Sequence, residues 1–223
     1  MRRAIAISAT GIATTSPNPP VGCVVLGRDG VVAGEGFHVR KGEAHAAGVD
    51  VETGVLESEA RVVLAPWLAA LRMQRPVIGW PYVVGEHDFQ AAIGEIADVR
   101  TLALGADVIY HADGSVAEVI PGSHGPGVLQ LDEIAAAENP GGTLTALYQG
   151  GVRRLLLSGG SAMAEPFLAL GVIDHVFAYL PDGSASRRPS LKEPLAVVPP
   201  GFTIVRVKRL EGYVRVEAEQ SGF

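Results

Sequence analysis

A mixed α/β fold is what this sequence predicts, and three observations predict it. Helical and strand-like patterns alternate along the chain, the arrangement that layers helices on a sheet. Turn signals at Asp29-Gly30, Asp113-Gly114 and Glu211-Gly212 each separate two strand-like runs. The 223 residues, 48% hydrophobic and 19% charged, can bury a sizeable core in one or two domains.

The elements follow in order. Residues 2 to 13 suit a helix: the apolar run after Arg2-Arg3 is broken by Ser8, Thr10 and Gly11, which is wrong for a secretory leader. Two strands, 21–26 and 31–36, are joined at Asp29-Gly30. His45 opens a helix to about Glu52, and Arg61 to Leu64 reads as a third strand. The stretch from Pro66 to Gly85 is marked by proline and glycine, and the boundary between two units, 1–72 and 73–223, is placed there; its hydrophobicity says that it packs. Beyond it, Phe89 to Val99 reads as a helix, and 107–110 and 116–120 as strands. A helix at 132–137 is broken by Asn139-Pro140-Gly141-Gly142 and followed by another over 143–149. Arg154 to Leu157 is a buried strand feeding Ser158-Gly159-Gly160-Ser161 and a helix that ends at Gly171. Thr203–Arg209 and Tyr213–Glu217 make a final hairpin.

Charge and cysteine content narrow the partners. A formal net charge of -6 speaks against nucleic acid or an anionic membrane, both of which select basic surfaces. No apolar stretch reaches the length of a membrane span. One cysteine, Cys23, permits no internal disulfide, in keeping with a cytoplasmic location.

The chemistry-bearing residues lie in two groups. In the first half, Thr15-Ser16-Pro17-Asn18-Pro19-Pro20-Val21-Gly22-Cys23-Val24-Val25, Gly34-Glu35-Gly36-Phe37-His38 and Gly42-Glu43-Ala44-His45-Ala46-Ala47 stand in one collinear series. Zinc deaminases use H-x-E with a later P-C-x-x-C, the His and two Cys holding the metal while the Glu moves protons. Here the acid's place is Ala47, and no second cysteine exists, so no metal ligand set and no bound metal is expected. By itself Asn18 before Pro19 is an ordinary turn initiator, and His45 an ordinary core histidine. In the second half, Gly159-Gly160-Ser161 lies between a strand and a helix, where backbone N–H groups favour an anion. A tight turn with Ser161 as N-cap would need the same residues.

The series over residues 2 to 67 resembles the start of the deaminase domain of the bifunctional riboflavin-biosynthesis deaminase/reductase family. Arg61-Val62-Val63-Leu64-Ala65-Pro66-Trp67 is similar to the strand that brings the first zinc cysteine in that family, with Trp67 in the cysteine's place. A second resemblance, over roughly Asp107 to Glu217 and centred on Gly151-Val152-Arg153-Arg154-Leu155-Leu156-Leu157-Ser158-Gly159-Gly160-Ser161, is to the late part of the family's reductase domain. The implied architecture is a truncated cytidine-deaminase-like segment followed by a partial dihydrofolate-reductase-like α/β domain. The early reductase elements are not recognisable beyond a faint likeness at Arg75–Pro81.

The resemblance implies roles: Asn18 in the substrate pocket, His38 and Lys41 at its phosphate end, and Gly159-Gly160-Ser161 against a cofactor phosphate. Trp67 offers a flat face to a heterocycle. Because the substrate residues persist while the zinc ligands do not, the expected activity is a metal-independent acid/base reaction, an Amadori-type isomerisation with His45 as the proton carrier. Its substrate would be a phosphorylated ribosylamino-heterocycle, and no cofactor is expected. A residual NADPH-dependent reductase and a non-catalytic binding homologue are the alternatives. Exposed sheet edges predict a homodimer.

Overall fold

The computed structural model describes residues 2–11, 15, 18–27, 29–38, 57–84, 96–119, 139–182 and 197–221, with side chains of the long second helix described from Leu64 onward. The chain begins with helix α1 (Arg2–Ser8), extended by a 3-10 turn at Ala9–Gly11, and an antiparallel hairpin of β1 (Gly22–Leu26) and β2 (Val32–Phe37). Glycine is required at position 22, because a Cβ there would lie 2.2 Å from the Ala4 carbonyl oxygen. That close approach seats α1 on the hairpin, and Arg3 pairs with Glu35 across the same contact.

Helix α2 (Glu57–Met73) leads into β3 (Val77–Val83), followed by α3 (Ala97–Leu104), β4 (Val108–His111), β5 (Val116–Glu118), α4 (Pro140–Gln149), β6 (Arg154–Ser158), α5 (Ser161–Ala169), β7 (His175–Pro181), β8 (Phe202–Leu210) and β9 (Tyr213–Gln220). Strands three to nine form one sheet in the order β5-β4-β6-β3-β7-β9-β8. The four inner strands β4, β6, β3 and β7 run parallel, and antiparallel strands close both sides. Among the described residues no helix is long and apolar enough to cross a membrane.

Side chains on parallel strands alternate between two covered faces. On one face Ile78, Trp80, Val108, Leu155, Leu157, Val176, Ala178 and Val216 meet Leu144 and Leu147 of α4 and Ala164 and Phe167 of α5. On the other, Val83, Phe177 and Tyr179 pack against Ile96 and Val99 at the start of α3, and Val77 packs against Ala69 and Ala70 of α2. Gly79 belongs to this second face, where a Cβ would stand 3.2 Å from the Phe177 ring.

Two buried carboxylates tie down the amino ends of the parallel strands. Asp174 takes a bidentate pair from Arg75, both bonds at 2.7 Å, and the Ile78 backbone N–H at 2.7 Å. Asp107 accepts the backbone N–H groups of Arg153 and Arg154 at 2.8 and 2.9 Å. Each joins neighbouring segments through charge-assisted bonds to groups that the strand ladder leaves unused.

Several expectations are corrected. Arg61 to Leu64 is helical and lies inside α2: the segment from Glu57 is rich in Glu, Ala, Arg and Leu, and packing of Ala69 and Ala70 on Val77 outweighs the interruption at Pro66. Asn139-Pro140-Gly141-Gly142 starts α4, with the Asn139 side chain capping Gly142 N–H at 2.7 Å and Pro140 in the first turn, where its missing N–H costs nothing. The stretch from Pro66 to Gly85 holds the end of α2 and the central strand β3. Strand β7 was not anticipated. The expected helix at 45–52 and the one at 132–137 lie outside the described residues, as do the first residues of the helix expected from Phe89, which is observed from Ala97.

Candidate functional site

The described members of the first group lie at the open end of the β1–β2 hairpin and along its strands. Thr15, fully buried, donates its hydroxyl to the Gly11 carbonyl at 2.9 Å, and the Asn18 N–H donates to the Thr15 carbonyl at 2.7 Å. Asn18 is thus held three residues ahead of Val21. The His38 N–H donates to the Val21 carbonyl at 2.8 Å, directly beyond the Gly22–Phe37 register pair. A Cβ at Gly11 would come within 2.7 Å of the His38 carbonyl oxygen, so the close packing of that turn holds the histidine's backbone. Asn18 and His38 therefore share one end of the hairpin. Trp67 is half-buried on α2 rather than at a strand end, because the segment that carries it is helical. His45 and Lys41 lie outside the described residues. Cys23 is exposed on β1, and among the described residues no three His, Cys, Asp or Glu side chains converge as a metal site.

The second group is built at the carboxyl edge of the parallel sheet, where open α/β sheets receive ligands. The chain leaves β6 at Ser158, turns through Gly159 and Gly160, and enters α5 at Ser161. Gly160 is the N-cap, with extended backbone and its carbonyl accepting Met163 N–H at 3.1 Å; Ser161, expected as the cap, is the first helical residue. The two glycines differ in kind. A Cβ at Gly159 would lie 2.6 Å from the Met163 methyl and 3.1 Å from Ala112, so a side chain there would have to displace the Met163 methyl and press on Ala112. Among the described residues a Cβ at Gly160 would meet no atom within 4 Å, so this part of the loop faces away from them.

The loop is held from behind by a residue that the sequence did not single out. Trp80, buried on β3, donates its indole N–H to the Gly159 carbonyl at 3.1 Å. Its ring stacks on Tyr82, with centroids 4.4 Å apart, and the Tyr82 hydroxyl donates to the Val197 carbonyl. Burial pushes the Tyr82 phenol above its ordinary range, so it remains a neutral donor. The sequence signal was present, since Trp80 and Tyr82 alternate with Gly79 and Pro81, but only the sheet order sets Trp80 beside the glycine loop. On the other side, His111 ends β4 in register with Ser158. The peptide N–H groups of Ser161 and Ala162 precede the first backbone bonds of α5, which Met163 and Ala164 make to the Gly160 carbonyl, and the helix dipole adds positive potential there. This edge suits a phosphate.

Comparison with known proteins bears on both groups. No protein-family model matches the chain. The riboflavin biosynthesis protein RibD of Escherichia coli is 52% identical over 46 residues, 21% of this chain and 12% of that protein. A diaminohydroxyphosphoribosylamino-pyrimidine deaminase of Buchnera aphidicola is 48% identical over the same length, 31% of its own chain. The matched segment is thus a small part of these curated relatives. In fold the likeness runs further: a deaminase/reductase structure from Thermotoga maritima aligns over 99% of this chain and 97% of its own, with TM-score 0.66 at 18% identity. RibD of Acinetobacter baumannii aligns over the same shares with TM-score 0.67 at 17% identity. These likenesses carry the deaminase-like plus reductase-like α/β architecture. They overturn the expectation of a metal-independent isomerase: the relatives and the structural neighbours are named for deaminase and reductase activities, and none is named for an isomerisation.

Proposed function

We propose that this chain, a divergent homologue of the riboflavin-biosynthesis deaminase/reductase proteins, is an enzyme of the reductase type that takes a phosphorylated ribosylamino-heterocycle and a reduced nicotinamide nucleotide at the carboxyl edge of its seven-stranded sheet. The observation that carries the reading is the Gly159-Gly160-Ser161 loop: a strand-to-helix turn, open at Gly160 and rigidly backed by Trp80, on a sheet that aligns with deaminase/reductase structures. The open space at Gly160 among the described residues and the N–H groups of Ser161 and Ala162 at the start of α5 fit a dinucleotide phosphate. When bound, the nicotinamide supplies a hydride.

The protein's own part is to bind and orient. Backbone N–H groups of Ser161 and Ala162 would hold one phosphate, and Gly159, packed under Met163 and Ala112, keeps the loop from yielding. Trp80 and Tyr82 supply a dry, neutral wall behind it. The reading departs from the expectation of no cofactor, and it leaves Asn18 and His38 as a separate polar pair at the hairpin. We also place the protein in the cytoplasm.

The test is direct binding. NADPH is titrated into the protein by calorimetry and by nucleotide fluorescence, with and without a phosphoribosylamino-pyrimidine, and turnover is followed by product mass. Gly160→Asp sets a carboxylate in the open cradle, so it should abolish nucleotide binding while leaving the melting temperature nearly unchanged. Wild-type protein that binds neither compound, or Gly160→Asp protein that binds as tightly as wild type, would overturn the proposal. Binding of the heterocycle without nucleotide or turnover would favour a non-catalytic homologue.

A further inference from the structure

The sheet order places the crevice for a dinucleotide. Strand β6 is followed by α5 on one face of the sheet, and the next described helix after its neighbour β3 is α3, on the other face. Open α/β sheets receive ligands outside the carboxyl ends, where adjacent strands send their chains to opposite faces. That point lies between β6 and β3, and β4 flanks β6 on the far side.

The end of β4 therefore borders the phosphate loop. His111 stands in register with Ser158, and the next residue, Ala112, is the one that a Cβ at Gly159 would meet at 3.1 Å. The chain then turns back into β5 through Asp113-Gly114. The Gly114 N–H donates to the His111 carbonyl at 3.0 Å, and the His111 N–H donates to the Ser115 carbonyl at 2.8 Å. This turn fixes Asp113, whose Oδ1 accepts the Ser115 N–H at 2.9 Å and the Ser115 hydroxyl at 2.6 Å. Those bonds hold the carboxyl below its ordinary range, so it is charged at neutral pH. Its other oxygen accepts nothing from the described residues, and the residue is exposed.

Cations are lacking on both segments. Between Tyr110 and Val119, and between Leu155 and Ala169, the sequence carries Asp113, Glu118 and Glu165 but no Lys or Arg. In dinucleotide-binding α/β folds an acidic side chain near the phosphate loop receives the adenosine ribose 2′-hydroxyl of NAD, whereas an Arg there accommodates the 2′-phosphate of NADP. His111 in its neutral form offers hydrogen bonds to a ribose and no charge to a phosphate.

We propose that Asp113 selects the unphosphorylated dinucleotide: its second oxygen accepts the 2′-hydroxyl of the adenosine ribose and its charge repels a 2′-phosphate, so the protein uses NADH in preference to NADPH. The selection rests on the reading of the glycine loop as the seat of a reduced nicotinamide nucleotide. NADPH, which the resemblance to a reductase leads one to expect, binds the same cradle more weakly.

The test titrates the full chain with NADH and with NADPH at pH 8, where free imidazole is neutral, by calorimetry and nucleotide fluorescence. NADH should bind at least about tenfold more tightly at low salt, and the ratio should shrink as salt screens the carboxylate. Asp113→Asn keeps an acceptor for Ser115 and loses the charge, so it should bring the two dissociation constants within about threefold of each other, chiefly by tightening NADPH. Mere damage to the turn would weaken both nucleotides alike and leave their ratio in place. Wild type that binds NADPH as tightly as NADH, or Asp113→Asn protein that keeps the wild-type ratio, overturns the selection and leaves the nucleotide site standing. Wild type that binds neither nucleotide removes the site and the selection together.

Discussion

Replacing Asp174 by alanine removes the group on which the amino end of the central sheet converges. The carboxylate is fully buried and accepts three bonds of 2.7 Å, two from the Arg75 guanidinium and one from the Ile78 N–H. Its own backbone completes the junction: Asp174 N–H donates to the Ile78 carbonyl at 3.0 Å, and its carbonyl accepts Gln220 N–H at 3.0 Å. Removing one partner of a buried pair costs roughly 3–5 kcal/mol because the other is left uncompensated. The Arg75 side chain keeps 18% of its surface in water and can turn outward, which favours the low end, about 3 kcal/mol. For a chain of this size that is a fall in melting temperature of roughly 6–12 °C. Asp174→Asn retains an acceptor for Ile78 N–H but loses the charge, so it should cost about half as much. Urea unfolding should show the loss as a lower midpoint at unchanged slope. A double-mutant cycle with Arg75→Met should give a coupling of at least about 1 kcal/mol. Asp174→Ala protein within about 1 kcal/mol of wild type, or a cycle with no coupling, would refute the assignment of this carboxylate as the junction of β3, β7 and β9.

Three further outcomes are expected. Gly159→Ala should lose about 1–3 kcal/mol, since its methyl would press on Met163 and Ala112, while Gly160→Ala should leave stability nearly unchanged; paired thermal melts separate the two glycines. Asn139→Ala should cost about 0.5–2 kcal/mol by freeing the Gly142 N–H at the start of α4, measured by the same urea titration. The Asp98 carboxyl is subject to desolvation, which raises its pKa, but bonds from Tyr179 and Arg215 outweigh this and hold it below the ordinary carboxylate range. Its folded pKa lies below its unfolded value, so its stabilising contribution is present above about pH 4 and is lost as the pH falls through the folded pKa. Asp98→Asn should flatten the melting-temperature profile over that acid range, and an unchanged profile would count against the Asp98–Arg215 pair.

The local pattern of the chain determined its α/β class, the β1–β2 and β8–β9 hairpins, the strand at 154–157 and the glycine loop after it, because alternation, Asp-Gly turns and a strand-to-helix glycine pair are short-range signals. The deaminase-like and reductase-like likeness was legible for the same reason, in collinear motifs from Pro17 to His45 and from Gly151 to Ser161. Tertiary structure alone decided the rest. Residues 61–64 have the aliphatic composition of a strand, yet they are helical because the helix they extend buries Ala69 and Ala70 against Val77. β7 reads as an uninterrupted apolar run, and only its place between β3 and β9, with both faces covered, makes it a strand. Trp80 lies seventy-nine residues from Gly159, and no periodicity links them. The hydrogen bond that backs the candidate phosphate site exists because the sheet order places β6 next to β3, a choice made by burial of both faces at once and therefore invisible to any local window.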